Sequence, residues 1–399
     1  MGFFPESILT KPRPRSLVPL CGMCGLKNHC RTPLMEVYGK GERKILIVGE
    51  APGYNEDKEG RPFIGETGTY LKNRLKEIGI KMDRDCWLTN ALICHPEKNR
   101  TPTSEEISYC HPNIARTIKE LEPNVILTVG KAAIESVTTG IWTEGIGAMS
   151  RWAGWKIPCR DLNTWIIPTF HPSFIKRELS EAKNGTPIEK IYGEHLELLN
   201  TIDSKPYKKV KDLRKSIQLL YEPDKIVKKL NWFRKHPAPI AFDLETDRLK
   251  PDHPKSTIRC ASVCWKGKKT IAFPYEGRRV KNAFRKLLAS PCPKYGQNFK
   301  FEDRWTHDPV VNWTWDTMNE MHVYDPRKGI CSLSFIGFVL LGISCYSDHI
   351  SPFLSQEDSY AENRIKEVEL KDLLLYNGFD SLVTYMAAVK QMKLLGVKP

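Results

Sequence analysis

The sequence predicts an α/β protein built from two unlike domains, on three observations. Between residues 45 and 170, short apolar runs alternate with stretches of helical periodicity, the pattern of a parallel sheet with crossover helices. At residues 204–212 a short basic stretch broken by proline, SKPYKKVKD, interrupts that alternation. Beyond it a new strand, Ile240 to Thr246, carries carboxylates at i and i+2, and two more strand-like runs follow closely. A length of 399 residues suits two or three domains. The expected division is 1–203, a basic linker and lead-in helix at 204–235, and 236–399.

Each element has its own local reason. Lys44 to Val48 is a short, mainly apolar run stopped by Gly49, as expected for a strand buried on both faces. Gly68 to Gly79 places Leu71, Leu75 and Ile78 on one helical face. Cys86 to Leu92 reads as the next strand. Ser104 to Leu121 reads as a long helix whose first turn is enriched in capping and acidic groups. Asn124 to Val129 and Trp165 to Thr169 are further strands, the second ending at His171-Pro172. From Leu213 to Lys235 apolar residues recur at helical spacing, with Pro223 expected to divide the stretch into two helices. Ile258 to Val263 and Thr270 to Phe273 would start an antiparallel meander, with helices following through Asp380 to Leu395. There is no internal repeat.

Composition narrows the function. A charged fraction of 27% and a hydrophobic fraction of 41% are those of a globular protein, not of collagen, a coiled coil or a disordered chain. No apolar run approaches the ~20 residues that cross a bilayer. Met1 to Leu20 is Pro- and Arg-rich and has no apolar core, so it does not read as a secretory signal. A net charge of +14 implies attraction to polyanions, nucleic acid first; a merely basic soluble protein is the plain alternative. The 12 cysteines then belong to a cytoplasmic protein, as reduced thiols or metal ligands. Cys260 and Cys264, on one strand, read as buried packing.

In parallel α/β sheets ligands gather at the carboxyl ends of strands. Here those ends carry Gly49-Glu50-Ala51-Pro52-Gly53, Asn90, Gly130 and His171. Cys21-x2-Cys24, with Cys94 and Cys110 downstream, has the residue types of a zinc or iron–sulfur site, Cys30 being a rival ligand. The turn after the first strand could cradle a phosphate, but it lacks the Gly-Lys-Ser/Thr ending of a P-loop.

The full run GEAPGYNEDKEGRPFIGETG (49–68), with TNALICHPEKNRTP (89–102), LEPNVILTVG (121–130) and IPTFHPS (167–173), resembles the family 4 uracil-DNA glycosylases. The resemblance covers about the first 200 residues and keeps the order of every motif. It implies the parallel-sheet α/β/α glycosylase fold and a [4Fe–4S] cluster on Cys21, Cys24, Cys94 and Cys110. By the same resemblance Phe63 stacks on an extruded uracil, Asn90 bonds its edge, and Glu56 excludes the 5-methyl of thymine. His171 would lie near uracil O2, Glu50 near the sugar or water, and residues 172–177 would form the loop that penetrates DNA. The chemistry needs such groups, because a base must leave the stack before its N-glycosidic bond can be cut.

In the second half Asp243-x-Glu245, Gly296-Gln297-Asn298-Phe299-Lys300-Phe301-Glu302-Asp303, Trp315-Asp316 and Tyr376-x3-Asp380 together resemble a proofreading exonuclease. The family is the 3′→5′ exonuclease domain of family A DNA polymerases, an RNase H-like DEDD nuclease with the tyrosine variant. The resemblance implies Asp243, Glu245, Glu302 and Asp380 as ligands of two Mg2+ or Mn2+ ions and Tyr376 as the residue orienting water. Asn298 and Phe299 would hold the DNA 3′ end. Asp303 is the alternative to Glu302 in the second motif, and Asp316 is expected to be a helix cap. On a helix, Tyr376 and Asp380 share a face.

Together the halves are expected to form a bifunctional protein that acts on DNA, excising uracil and trimming 3′ ends. The fusion suggests a bacteriophage replication or repair protein. The absence of fingers, palm and thumb segments suggests a separate family A-like polymerase chain as partner. The alternative is an active exonuclease whose glycosylase-like domain only binds DNA or tethers the polymerase.

Overall fold

Short, mainly apolar runs stopped by Gly49, Asn90 and Gly130 become strands because both faces of their sheet are covered, so no alternation is needed. The structure is a computed structural model and describes residues 21–182, 186–306, 309–356, 358 and 360–398. Met1 to Leu20, read above as lacking a signal, lies outside the described residues. The chain divides into two units, the first made of residues up to Val210 with Gly342–Ser344, the second of Lys211–Leu341 and the residues from Cys345 on.

The first unit holds β1 (Ile45–Gly49), β2 (Cys86–Asn90), β3 (Val125–Val129), β4 (Ile157–Cys159) and β5 (Thr164–Thr169) in the order β2-β1-β3-β5-β4. All neighbours are parallel except β4, a short antiparallel edge strand with no signal in the sequence pattern. Its core joins β1, β2 and β3 to Leu71, Leu75, Ile175, Tyr192 and Leu196 from the covering helices. The register pairs Gly49 with Asn90, and the Gly130 N–H donates to the Thr169 carbonyl. Four strand ends therefore meet along one edge. The segment expected to be a DNA-penetrating loop is helical, within Pro172–Glu181. Pro172 has no N–H to leave unpaired in the first turn, and His171 supplies the cap.

The helix Ser104–Leu121 starts at a capping box. Glu106 N–H donates to the Thr103 hydroxyl, and Thr103 N–H donates to the Glu106 carboxylate. Arg100 grips that carboxylate with two nitrogens, at 2.6 and 2.9 Å.

In the second unit β6 (Ile217–Leu219), β7 (Ile240–Thr246), β8 (Ile258–Trp265), β9 (Lys269–Pro274), β10 (Lys294–Gly296) and β11 (Trp313–Asp316) form one sheet, ordered β11-β10-β7-β8-β9-β6. β8 runs antiparallel to β7 and β9, whereas β10 and β11 are parallel to β7. Counted from β7, the order is 3-2-1-4-5 with the second strand reversed, the RNase H-like arrangement. The 25-residue helix Leu370–Leu394 lies across β7, β8 and β9. Gly378 permits the approach, since a Cβ there would stand 2.6 Å from Ile217 Cγ2.

One expectation fails. Residues 213–220 are not a helix; Leu213–Ser216 is a single 3-10 turn and Ile217–Leu219 is β6, parallel to β9. The free edge of β9 offers hydrogen-bond partners that helical spacing cannot reveal, and Pro223 begins the one helix present, Pro223–Lys235. No helix among the described residues is long and apolar enough to cross a membrane.

Candidate functional site

Three clusters carry the predicted chemistry. In the first, Cys21, Cys24, Cys94 and Cys110 line one small cavity with Leu26, Leu34 and Leu92. Cys30, like Cys24 and Cys110, packs against the apolar cluster that contains Cys94 but is not part of that lining. The Leu34 N–H donates to Cys94 Sγ at 3.3 Å, and Asn113 Nδ2 to Cys110 Sγ at 3.6 Å. Burial pushes the Cys94 thiol up to about 12 and raises that of Cys110. Such thiols ionise only beside a strong positive centre. Among the described residues no three of these sulfurs lie within 4.8 Å of one another. A tetrahedral zinc site would hold sulfurs about 3.8 Å apart, from Zn–S bonds near 2.3 Å. Four thiols round one cavity are a donor set for a metal ion or an iron–sulfur cluster.

The second cluster surrounds the end of β1. A Cβ on Gly49 would stand 2.3 Å from Asn90 Oδ1 and 2.8 Å from the Phe63 ring, so both side chains lie against the bare backbone of Gly49. Phe63 itself sits at φ 60°, a left-handed conformation that a bulky residue keeps only when its surroundings over-determine it. Glu56 is buried in the helix Tyr54–Glu59 and accepts the Gly65 N–H at 2.8 Å, tying the 49–53 turn to the 60–65 turn. His95 Nδ1 lies 2.8 Å from the Pro52 carbonyl, and Asn99 Oδ1 accepts the Tyr54 N–H at 3.1 Å. Burial raises the Glu50 carboxyl above its usual range. His171 caps the helix Pro172–Glu181: its Nδ1 accepts the Ser173 N–H at 3.3 Å and lies 2.7 Å from Ser173 Oγ. An Nδ1 that accepts leaves the ring proton on Nε2. Burial pushes the His171 pKa down, so the ring is neutral at pH 7.

The third cluster lies in a cleft of about 580 Å3. Asp243 and Glu245 of β7 and Asp380 of the long helix bring one oxygen each within 4.8 Å of the others. Glu302 lines the same cleft, is 3% exposed, and its Oε2 has no hydrogen-bond partner. Asp303 turns outward, with Trp313 Nε1 donating to it at 3.4 Å, so Glu302 and not Asp303 fills this position. Burial raises the pKa of all four carboxyls. The charges of Asp380, Glu245 and Glu302 add to the effect at Asp243. Asp380 reaches about 7 and Glu302 about 8. A buried group of four acids with an orphan oxygen is a donor set for hard divalent cations.

Asn298 lines the cleft, whereas Phe299 stacks on Trp313 at 5.0 Å and is not part of the lining. Asp316 caps the helix Thr317–Tyr324 and also accepts the N–H groups of Asn298 and Phe299, at 3.0 and 3.1 Å. Tyr376 lines the cleft beside Asp380 and acts to lower the pKa of its carboxyl. The Tyr346 hydroxyl donates to Asp380 Oδ1, a partner that sequence reasoning missed. Tyr346 is 34 residues from Asp380 in a segment with no pattern, and its packing on Phe379 at 4.7 Å and Tyr376 at 6.0 Å brings it in. Asn377 Nδ2 donates to Asp243 Oδ2 at 2.6 Å. As the neighbour of Tyr376, it was open to discovery from the motif itself.

Residues 36–194 match the Uracil DNA glycosylase superfamily model. The chain is 35% identical over 177 residues to a type-4 uracil-DNA glycosylase of Thermotoga maritima, spanning 44% of this chain and 87% of that one. It is 24% identical over 230 residues to a DNA polymerase of Bacillus phage SP01, 56% of this chain and 23% of that one. Among solved structures, Brucella melitensis NrnC aligns at 15% identity with a TM-score of 0.34, covering 46% of this chain and 82% of that one. The motifs at the strand ends and the near-complete span of the Thermotoga enzyme agree: through its first unit, this chain belongs to the type-4 branch of the uracil-DNA glycosylase superfamily.

Proposed function

We propose that the protein is a bifunctional DNA-processing enzyme: its first unit excises uracil from DNA and its second removes 3′-terminal nucleotides. The observation that supports the first activity most directly is the neutral His171 at the same strand-end edge as Glu50, Asn90 and Phe63. An extruded uracil would stack on Phe63 while Asn90 bonds its polar edge. Cleavage leaves negative charge on the base, and the Nε2–H of His171 is the donor for it at O2. One well-placed donor of this kind contributes about 3–4 kcal/mol. Glu50, beside the sugar, offsets the positive charge that develops there or orients water. Glu56 braces the two turns that shape the pocket, which fits a role in excluding the thymine methyl. A [4Fe–4S] cluster on Cys21, Cys24, Cys94 and Cys110 would supply a structural cross-link among the 21–35 segment, the loop after β2 and the helix Ser104–Leu121.

In the second unit Asp243, Glu245, Glu302 and Asp380 would hold two Mg2+ or Mn2+ ions, which supply activation of water and stabilise the departing 3′ oxygen. Tyr376, beside Asp380 in the cleft, orients the water. Asn298 receives the 3′-terminal nucleotide, its backbone pinned by Asp316, with Phe299 beside it. The match to a phage DNA polymerase supports service to a polymerase and a bacteriophage setting.

The test is one 5′-labelled oligonucleotide with an internal uracil. In EDTA, an alkali-dependent break at uracil that disappears in His171→Ala supports the glycosylase. With Mg2+ or Mn2+, a ladder from the 3′ end that disappears in Asp243→Ala supports the exonuclease. A ladder without the alkali-dependent break would instead make the first unit a DNA-binding module.

A further inference from the structure

The C-terminal unit carries a basic aromatic corner that neither candidate site uses. It forms where the end of the helix Pro223–Lys235 meets the β8–β9 turn. Trp232 and Trp265 pack edge to face with ring centroids 5.0 Å apart. His236 stacks on Trp232 at 4.2 Å, and its own ring is exposed. Both indoles remain partly exposed. Three lysines surround them: Lys269 lies 4.4 Å from the Trp232 centroid, and Lys229 and Lys266 each 5.9 Å from an indole. Lys268 adds a fourth charge on the same turn, with Arg234 and Lys235 on the adjacent helix end.

No acidic residue occurs in 225–236 or 264–270. Among the described residues no ion pair engages these cations. A cluster of exposed, unneutralised charge beside flat, partly exposed rings is complementary to a polyanion that carries stacking faces. Single-stranded nucleic acid has both properties, since its phosphates meet the lysines and every base has a face for an aromatic ring. Duplex DNA hides its base faces and fits less well.

Position defines the role. Trp265 pairs with Ile240, at the start of β7, whereas Asp243 and Glu245 pair with Ser262 and Cys260 further along. At about 3.4 Å per residue the corner is roughly 10–17 Å from the acidic cluster along the strand. It cannot touch a terminal nucleotide held at the acids. We propose that this corner binds single-stranded DNA several nucleotides 5′ of the end held in the acidic cleft. The binding part of this inference stands on the corner alone; the tie to a held 3′ end rests on the exonuclease reading.

The test uses the full chain with Asp243→Ala, in EDTA, and a 5′-fluorescein thymidine 30-mer followed by anisotropy. The variant Lys266→Gln/Lys268→Gln/Lys269→Gln should bind at least tenfold more weakly in low salt. Its slope of log affinity against log salt should fall by about 2, from roughly 0.7 per single-strand phosphate contact for three contacts. Trp232→Ala should weaken binding and Trp232→Phe should retain it, with circular dichroism confirming the fold of both. Unchanged affinity and slope in the triple variant would overturn the proposal. So would an equal loss from Lys281→Gln/Lys286→Gln, which changes net charge elsewhere, or an equal loss on blunt duplex. Hydrolysis with Mg2+, in the chain with Asp243 intact, separates the two readings. If the corner acts as proposed, the triple variant cuts a dinucleotide normally and a 30-mer with a raised KM. If only the exonuclease reading is wrong, neither length is cut, yet the binding difference persists.

Discussion

At the scale of single residues, protonation carries most of the consequences. His171 is partly buried, and the desolvation of its ring holds its folded-state pKa below the unfolded value near 6.5. Its contribution to stability is full above 6.5 and is lost as pH falls below it toward the folded value. Uracil release in EDTA should therefore stay level from pH 8 through 6.5 and decline only in more acidic buffer. A rate that halves at 6.5 would contradict a donor that is neutral at that pH. The acidic cleft has the opposite sign. Asp380 titrates near 7 and Glu302 near 8, both above their unfolded values near 4. Their contribution is present below about 4 and is lost as pH rises through 7 to 8. Without metal, the protein should melt at lower temperature at pH 8.5 than at 5.5, and Mg2+ or Mn2+ should remove most of that difference in calorimetry. Tyr346 acts on the same cleft through Asp380. Tyr346→Phe should need about tenfold more Mg2+ for half-maximal exonuclease rate, the usual scale for a group that orients a ligand. Tyr376→Phe should lower the rate at saturating metal by ~100-fold or more, if it orients the water as proposed.

At the scale of elements, the helix Ser104–Leu121 positions Cys110, and its start depends on Thr103. Thr103→Ala should cost about 1 kcal/mol in denaturant unfolding, the ordinary value of a lost N-cap. Arg100 first, with Thr103 behind it, holds the Glu106 carboxyl down to about 2. That contribution is present above about 4.5 and is lost as pH falls toward 2, so Thr103→Ala and acid should weaken the same element. This helix was legible because its cap, periodicity and length are all local. β6 was not. Leu213, Ile217 and Leu220 have helical spacing, yet pairing with the edge of β9 outweighs a weak local preference. Gly378→Ala would set a Cβ 2.6 Å from Ile217, in the strand that was misread. Overpacking there should destabilise the second unit by about 1–3 kcal/mol.

At the scale of the whole molecule, the two proposed activities need different inorganic partners and should be lost separately. Chelation of divalent ions should stop 3′ trimming while uracil release continues. Cys94→Ser should lower the iron bound per chain and the melting temperature of the first unit, yet leave metal-dependent trimming in place. Analysis of iron content alongside both assays checks this. The net charge of +14 belongs to the chain as a whole. DNA binding should accordingly weaken steeply with salt.

The sequence by itself determined the α/β class, the strand ends that carry Glu50, Asn90 and His171, and the acidic pairs on β7 and the last long helix. These depend on periodicity and on motifs of a few residues, which are local properties of a chain. Tertiary structure alone decided that Glu302 enters the cleft while Asp303 faces out, because one residue of helical rotation settles which side chain is buried. It also decided that Cys94 and Cys110 line the cavity while Cys30 packs nearby. Tyr346 reached Asp380, and Trp232 met Trp265, only through the folding of distant segments onto one sheet. Contacts of that kind cost loop closure and are repaid by burial over the whole unit, so no short stretch of sequence records them.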